Sequence, residues 1–283
     1  METEMKTLAL DFEFSQSNLQ DYVTCQRRFN LKYIKHLSWP AIESDPIHKI
    51  EDRMQLGSDF HRLVHQHLVG LPENLLTETV TASQFIELPS MWQDYLTFYQ
   101  NTLAKLRQSP YTEITLTTIL NNYRLVAKYD MIAFLDDKTL IIDWKTNVKR
   151  PLSYRLVDRL QSKVYPYMLH VAGSHLNNGN NITISNIMMM YWFTAMPDNP
   201  YVIDYNSDLH EQNEIYLSNL IEEISMNNDF PLTDDEKACR FCVYRSYCDR
   251  GDVAGVHDEM DDDVDVEDFS LDVEWEQISE IAY

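Results

Sequence analysis

Cysteine, glycine and positive charge are all scarce in this chain of 283 residues. Four cysteines are too few to staple a domain of this size. The opening METEMKTLALDFEF has neither a basic stretch nor an apolar one that would make a secretory signal, so the expectation is a reducing, cytoplasmic setting without disulfides. No apolar run reaches the length of a membrane span, and no partnership with a membrane is expected. With six glycines there is no glycine-rich phosphate loop, and no internal repeat appears. The net charge of −22 argues against a polyanion partner until its distribution is considered. Residues 251–283 carry 13 acids and no Lys or Arg, which leaves 32 acids against 23 bases in residues 1–250. Basic clusters survive there at Arg27, Arg28, Lys32 and Lys35, and again at Lys145, Lys149, Arg150, Arg155 and Arg159. At 44% hydrophobic the chain can bury one large core, and its natural division is a folded unit over 1–250 and an acidic tail over 251–283.

The most informative stretch is YRLVAKYDMIAFLDDKTLIIDWKTN, residues 123–147. Its second half alternates as two short strands joined by a turn at Asp136-Asp137-Lys138. Asp130 opens the first strand and Asp143 closes the second, both among apolar, β-favouring residues. In an extended strand Asp143 and Lys145, two apart, share one face, where a sequence built only for burial would place apolar side chains. A buried charge without compensation costs several kcal/mol, so partners are implied. By itself D-x-K is most simply an ion pair at a sheet end.

Upstream, Ser15 or Ser17 caps a helix whose stripe of Leu19, Tyr22, Cys25, Phe29 and Tyr33 makes Cys25 a buried residue. Met54 to Leu68 forms a second helix carrying His61 and His65, with His65 and His67 read as bystanders. Trp92 to Leu106 is a third helix, and Thr112 to Leu120 a strand with Glu113 near its start. Beyond the D-x-K a helix starts near Ser153 and places Gln161 and Tyr165 one turn apart. Ile184 to Phe193 is a buried strand in which three consecutive methionines serve as core. Tyr201 to Tyr205 is a short strand, and Leu209 to Met226 a helix.

Cys239, Cys242 and Cys248 follow as C-x2-C-x5-C with no histidine between them. Three thiols leave a four-ligand site one short, and Cys25 completes the count. On spacing alone Zn2+ and an iron–sulfur cluster fit such a set equally. Either ion would clamp the two ends of the folded unit together, worth up to about 5 kcal/mol by loop-closure entropy.

Taken in order, SQSNLQDYVTCQRRFNLKY, GSDFH, YD, DWK, QSKVY and CRFCVYRSYC resemble the motifs of the RecB-like branch of the PD-(D/E)XK nucleases. That branch includes the iron–sulfur exonucleases of CRISPR adaptation and AddB-type helicase-nuclease subunits. The likeness spans roughly residues 14–250. It departs from the pattern at Gln26, where a proline often stands, and at Ala127-Lys128, which replaces a small step containing glycine.

The resemblance implies an α/β core, a mixed sheet flanked by helices, with helical additions and a four-cysteine clamp. It implies Asp130 and Asp143 as ligands of Mg2+ or Mn2+, with His61 and the Trp144 carbonyl completing the set, and such hard ions suit carboxylate and imidazole donors. Lys145 would then orient the attacking water and offset charge growing on the phosphate, while Gln161 and Tyr165 position Lys145 or the DNA backbone. Glu113 is a secondary candidate for the site, with bracing of its strand as the simpler role. A [4Fe–4S] cluster, with Zn2+ as the alternative, would occupy Cys25, Cys239, Cys242 and Cys248. The expected activity is exonucleolytic cleavage of single-stranded or frayed DNA in repair, recombination or defence. A catalytically silent DNA-binding subunit, an acidic interaction protein and an RNA nuclease are the other readings. The tail alternates apolar residues at Leu271, Val273 and Trp275, suited to docking on a protein partner or back onto this chain.

Overall fold

A computed structural model describes residues 8–37, 45–106, 108–147, 151–240 and 242–251, with residues 45–50 described by their main chain alone. The tail beyond 251, together with Lys149 and Arg150 of the expected basic cluster, lies outside the described residues.

The chain enters through β1 (Glu13–Ser15) and α1 (Gln16–Thr24). Ser15 and Asn18 cap α1 reciprocally, each side chain meeting the other's backbone N–H. The expected continuous stripe from Leu19 to Tyr33 breaks at Cys25, whose extended backbone, φ −160°, ends α1 and caps α2 (Gln26–Phe29) through its own sulfur. Cys25 therefore sits at a helix break, half-exposed, and not on a buried stripe.

Two helices follow, α3 (Asp45–Leu68) and α4 (Glu73–Thr81), then α5 (Leu88–Asn101). β2 (Tyr111–Leu120) and β3 (Tyr123–Phe134) form an antiparallel hairpin. Its two-residue turn, Asn121-Asn122, has φ of 50° and 67°, the left-handed pair that matches strand twist and that Asn tolerates. β3 is longer than expected, so Asp130 lies within it and does not open it.

β4 (Thr139–Lys145) pairs antiparallel with β3. The chain then crosses over through α6 (Ser153–Asp158) and α7 (Leu160–Ala172) to β5 (Ile187–Phe193), which lies parallel to β4. The single helix expected from Ser153 is thus two, broken at Arg159. β6 (Tyr201–Asp204) forms an antiparallel edge, and α8 (Ser207–Met226) completes the unit. The strands run in the order β1-β3-β4-β5-β6, with β2 on the other side of β3.

Helices cover both faces, which explains why β4 and β5 read as nearly unbroken apolar runs. On one face Leu19, Tyr22, Val164, Met168, Leu217 and Ile221 pack on Leu125, Tyr129, Ile141 and Tyr191. On the other, Phe60, Val64, Trp92 and Tyr95 pack on Met131, Ile142, Trp144 and Trp192. Phe60 lies flat on Trp192, ring centroids 6.1 Å apart, and fixes α3 over the middle of the sheet. The architecture is the expected mixed sheet flanked by helices. Among the described residues no helix is long and apolar enough to cross a membrane.

Candidate active site

The site forms where β3 and β4 part. Their pairing ends at Met131↔Ile142, one residue short of Asp130 and Asp143, so both acids stand in the opening between the strands. The Trp144 N–H donates to Asp130 Oδ2 at 2.8 Å across that opening. The facing of β3 also slips here: Tyr129 and Ile132 belong to one core, Met131 and Ala133 to the other. Regular alternation cannot give this, and the slip centres on Asp130. Directly opposite on β2, the pairs Thr112↔Met131 and Ile114↔Tyr129 bracket Glu113, whose φ is +51°. A left-handed backbone at a non-glycine residue within a strand costs on the order of 1–2 kcal/mol and persists only where the surrounding structure holds it.

α3 supplies the third group. Gly57 faces Thr146 so closely that a Cβ would lie 3.0 Å from its Oγ1, and this approach carries His61, one turn later, over the strand opening. His61 Nδ1 lies 3.4 Å from Asp130 Oδ1. Donor atoms of His61, Glu113 and Asp130 all fall within 4.8 Å of one another, the one such group among the described residues. Two carboxylates and an imidazole at this spacing can hold a hard divalent cation. Burial pushes the Asp130 carboxyl up, but His61, the Trp144 N–H and Lys145 outweigh it and hold the group below its ordinary value. Asp130 is therefore an anion ready to bind a metal.

Asp143 and Lys145 face the α7 side and are almost wholly buried, at 3% and 1% exposure. Lys145 Nζ lies 3.1 Å from Asp143 Oδ2, and Gln161 Nε2 donates to Asp143 Oδ1 at 2.5 Å. Burial raises the Tyr165 phenol well above its ordinary value, with Asp143 and Asp130 adding to the rise, so it is a neutral hydroxyl.

The sequence-derived residues thus come together in two connected groups. His61 and Asp130 lie together with Glu113 as their third companion, and Asp143 lies in the second group. Asp143 has one oxygen on Gln161 and the other on Lys145. Trp144 takes part through its N–H. Glu113 ranks behind the other candidates in the sequence because nothing in a Thr/Ile-rich strand shows its register with Asp130. His65 and His67 have other partners, Thr112 Oγ1 at 2.8 Å and the Tyr95 hydroxyl at 2.9 Å.

The four cysteines are free thiols, partly buried, and no three of their sulfurs come within 4.8 Å among the described residues. The compact clamp expected from the count is not assembled. Burial raises Cys239, Cys242 and Cys248, Cys242 to about 11, and the Cys25 thiol adds to the rise at each. Ordinary packing joins the two ends instead. Phe29 stacks on Phe230 with centroids 6.4 Å apart, and the buried Tyr244 donates to the Leu37 carbonyl at 2.9 Å.

A family model described as the PD-(D/E)XK nuclease superfamily matches residues 13–249. Among solved structures, the crystal structure of SSO0001 is 16% identical over 83% of this chain and 85% of that one, with a TM-score of 0.38. A structure described as a "Putative exonuclease" from Eubacterium rectale is 9% identical over 96% of this chain and 98% of that one, with a TM-score of 0.49. Neither structural likeness is close enough to bear on function. No curated protein matches the chain.

Proposed function

Because the chain belongs to the PD-(D/E)XK nuclease superfamily, we propose that it is a Mg2+- or Mn2+-dependent DNA nuclease of the RecB-like branch, acting as an exonuclease on single-stranded or frayed ends. The observation that carries this is the meeting of His61, Glu113 and Asp130 beside the buried Asp143–Lys145 pair, at the point where two strands separate. An ion held by His61, Glu113 and Asp130 would supply Lewis acidity at a phosphodiester and lower the pKa of water there. The protein's own contribution is placement. Asp143, oriented by Gln161, fixes the Lys145 ammonium, which steadies the attacking water and offsets negative charge as it grows on the phosphate. Tyr165, kept neutral and bonded to Gln161, joins it in positioning Lys145 or the DNA backbone. Asp143 and the Trp144 carbonyl are the further ligands that the family resemblance implies.

We assign a [4Fe–4S] cluster to Cys25, Cys239, Cys242 and Cys248. The family resemblance supports it, and the Cys25 thiol acts on each of the other three. Zn2+ held by the same four thiolates is the alternative. The acidic tail is the region we assign to a protein partner or to this chain's own surface.

Cleavage of end-labelled single- and double-stranded DNA with Mn2+, and its loss with a chelator, tests the activity. DNA binding without cleavage under any divalent cation would favour the silent-subunit reading instead.

A further inference from the structure

Lys128 lies two residues before Asp130 on β3, just ahead of the point where the facing of that strand slips. Its Nζ lies 2.8 Å from Glu113 Oε2, and its side chain is 47% exposed. Glu113 thus meets two kinds of partner: Lys128 at its Oε2, and the donor atoms of His61 and Asp130 within 4.8 Å. A diagonal Glu–Lys pair across two strands is ordinary on a sheet surface and needs no strained backbone. Here the glutamate is held at φ +51°, opposite Asp130. That conformation aims the carboxylate at the Asp130–His61 pair, and Lys128 reaches in from the solvent side to meet it.

We propose that Lys128 is a substrate-contacting residue held in reserve by Glu113. Without a cation, Lys128 balances part of the charge that Glu113 and Asp130 bring together. When a divalent cation enters among His61, Glu113 and Asp130, Glu113 gives its charge to the cation. The ammonium of Lys128, a flexible and strongly hydrated point charge, then turns to a phosphate of the bound strand next to the one being cut. Metal binding and substrate binding are coupled by this exchange, because one carboxylate serves two cations in turn. The chemistry recognised is a backbone phosphate, without base selectivity.

This inference rests on the nuclease reading above, and its test separates the two. Mn2+ affinity of the full-length protein is measured without DNA, and affinity for a single-stranded oligonucleotide is measured with Ca2+ across a range of salt. Lys128→Met removes a like charge from beside the metal site, so Mn2+ should bind about 3–10-fold more tightly. The same variant should bind the oligonucleotide more weakly, with its log–log salt slope reduced by about one. Lys128→Arg should restore the salt slope, and Glu113→Gln should weaken Mn2+ binding by about tenfold or more. Weaker DNA binding with a reduced salt slope, beside tighter Mn2+ binding, is the signature, since a lysine that only balances Glu113 would tighten Mn2+ and leave DNA affinity and slope unchanged, a result that overturns the exchange. A wild-type protein that binds Mn2+ and cleaves DNA while Lys128→Met leaves both affinities unchanged, or weakens both, overturns the exchange and leaves the nuclease assignment standing. Failure of the wild type to bind Mn2+ at all overturns both.

Discussion

Asp143 and Lys145 sit 3.1 Å apart with 3% and 1% exposure, which changes what a substitution there can report. Alanine at either position would remove the ion-pair partner of a buried charge, at a cost of about 3–5 kcal/mol. Loss of activity in such a variant would be confounded with loss of fold. Asp143→Asn, which keeps the hydrogen bond to Gln161, should lower activity at least about a hundredfold with a smaller change in Tm. Asp143→Ala should lower Tm by several degrees more, and thermal denaturation of both variants checks the difference. His67 makes a second prediction at this scale. Burial depresses its pKa from the ordinary imidazole value, Glu73 working the other way. The folded value lies below the unfolded one, so the stability contributed is whole above the unfolded pKa of about 6.5 and lost as pH falls through the folded value. Wild-type Tm should therefore drop between about pH 7.5 and about pH 5.5, and His67→Gln should drop less over the same window.

At the scale of elements, the position of α3 determines whether His61 reaches Asp130, and Gly57 sets that position. Alanine there gains up to about 1 kcal/mol of helix propensity but places a Cβ 3.0 Å from Thr146 Oγ1. Valine adds two methyl groups to that contact, so Thr146 or the helix has to give way. Gly57→Val should thus weaken Mn2+ affinity about tenfold or more, in step with His61→Ala. His65→Ala should leave it unchanged, because His65 is bonded to Thr112. Titration of Mn2+ into the three variants separates the cases. The elements themselves were largely legible: the β4 strand, the polar turn before it and the buried β5 run all follow from alternation and apolar continuity. Breaks were not. Cys25 ends one helix and caps the next, and Arg159 divides α6 from α7, although the helical period runs through both points. A period reports which face is buried and is blind to a single residue in extended conformation. Glu113 stands only as a secondary candidate in the sequence for a related reason. Its role depends on a left-handed kink and on register with Asp130, neither of which leaves a mark in local composition.

Across the whole molecule, the first and last parts of the folded unit are joined by aromatic packing, by Tyr244 on Leu37 and by Tyr22 on Glu223. A metal cluster at the four cysteines would reinforce a junction that already exists. Iron removal should therefore lower Tm without unfolding the protein, by less than the roughly 5 kcal/mol that closing an open loop would imply. Protein purified without oxygen should carry about four irons per chain, as a [4Fe–4S] centre requires; zinc in their place would refute the cluster and keep the site. Removal of the tail after Arg250 tests self-docking. If its carboxylates compete with DNA, the truncated chain should bind single-stranded DNA more tightly at low salt, and the gain should shrink as salt rises. Equal affinity at every salt concentration would leave docking on another protein and a purely solubilising tail. The central claim is that DNA cleavage runs on the acids and lysine gathered where β3 and β4 part. It is tested most directly by single-turnover cleavage of end-labelled linear DNA with Mn2+, comparing wild type, Asp130→Asn and Lys145→Met. The account predicts metal-dependent products from the wild type and rates lower by about a hundredfold or more in both variants. Cleavage by folded Lys145→Met at the wild-type rate, or none by the wild type with any divalent cation, would contradict it.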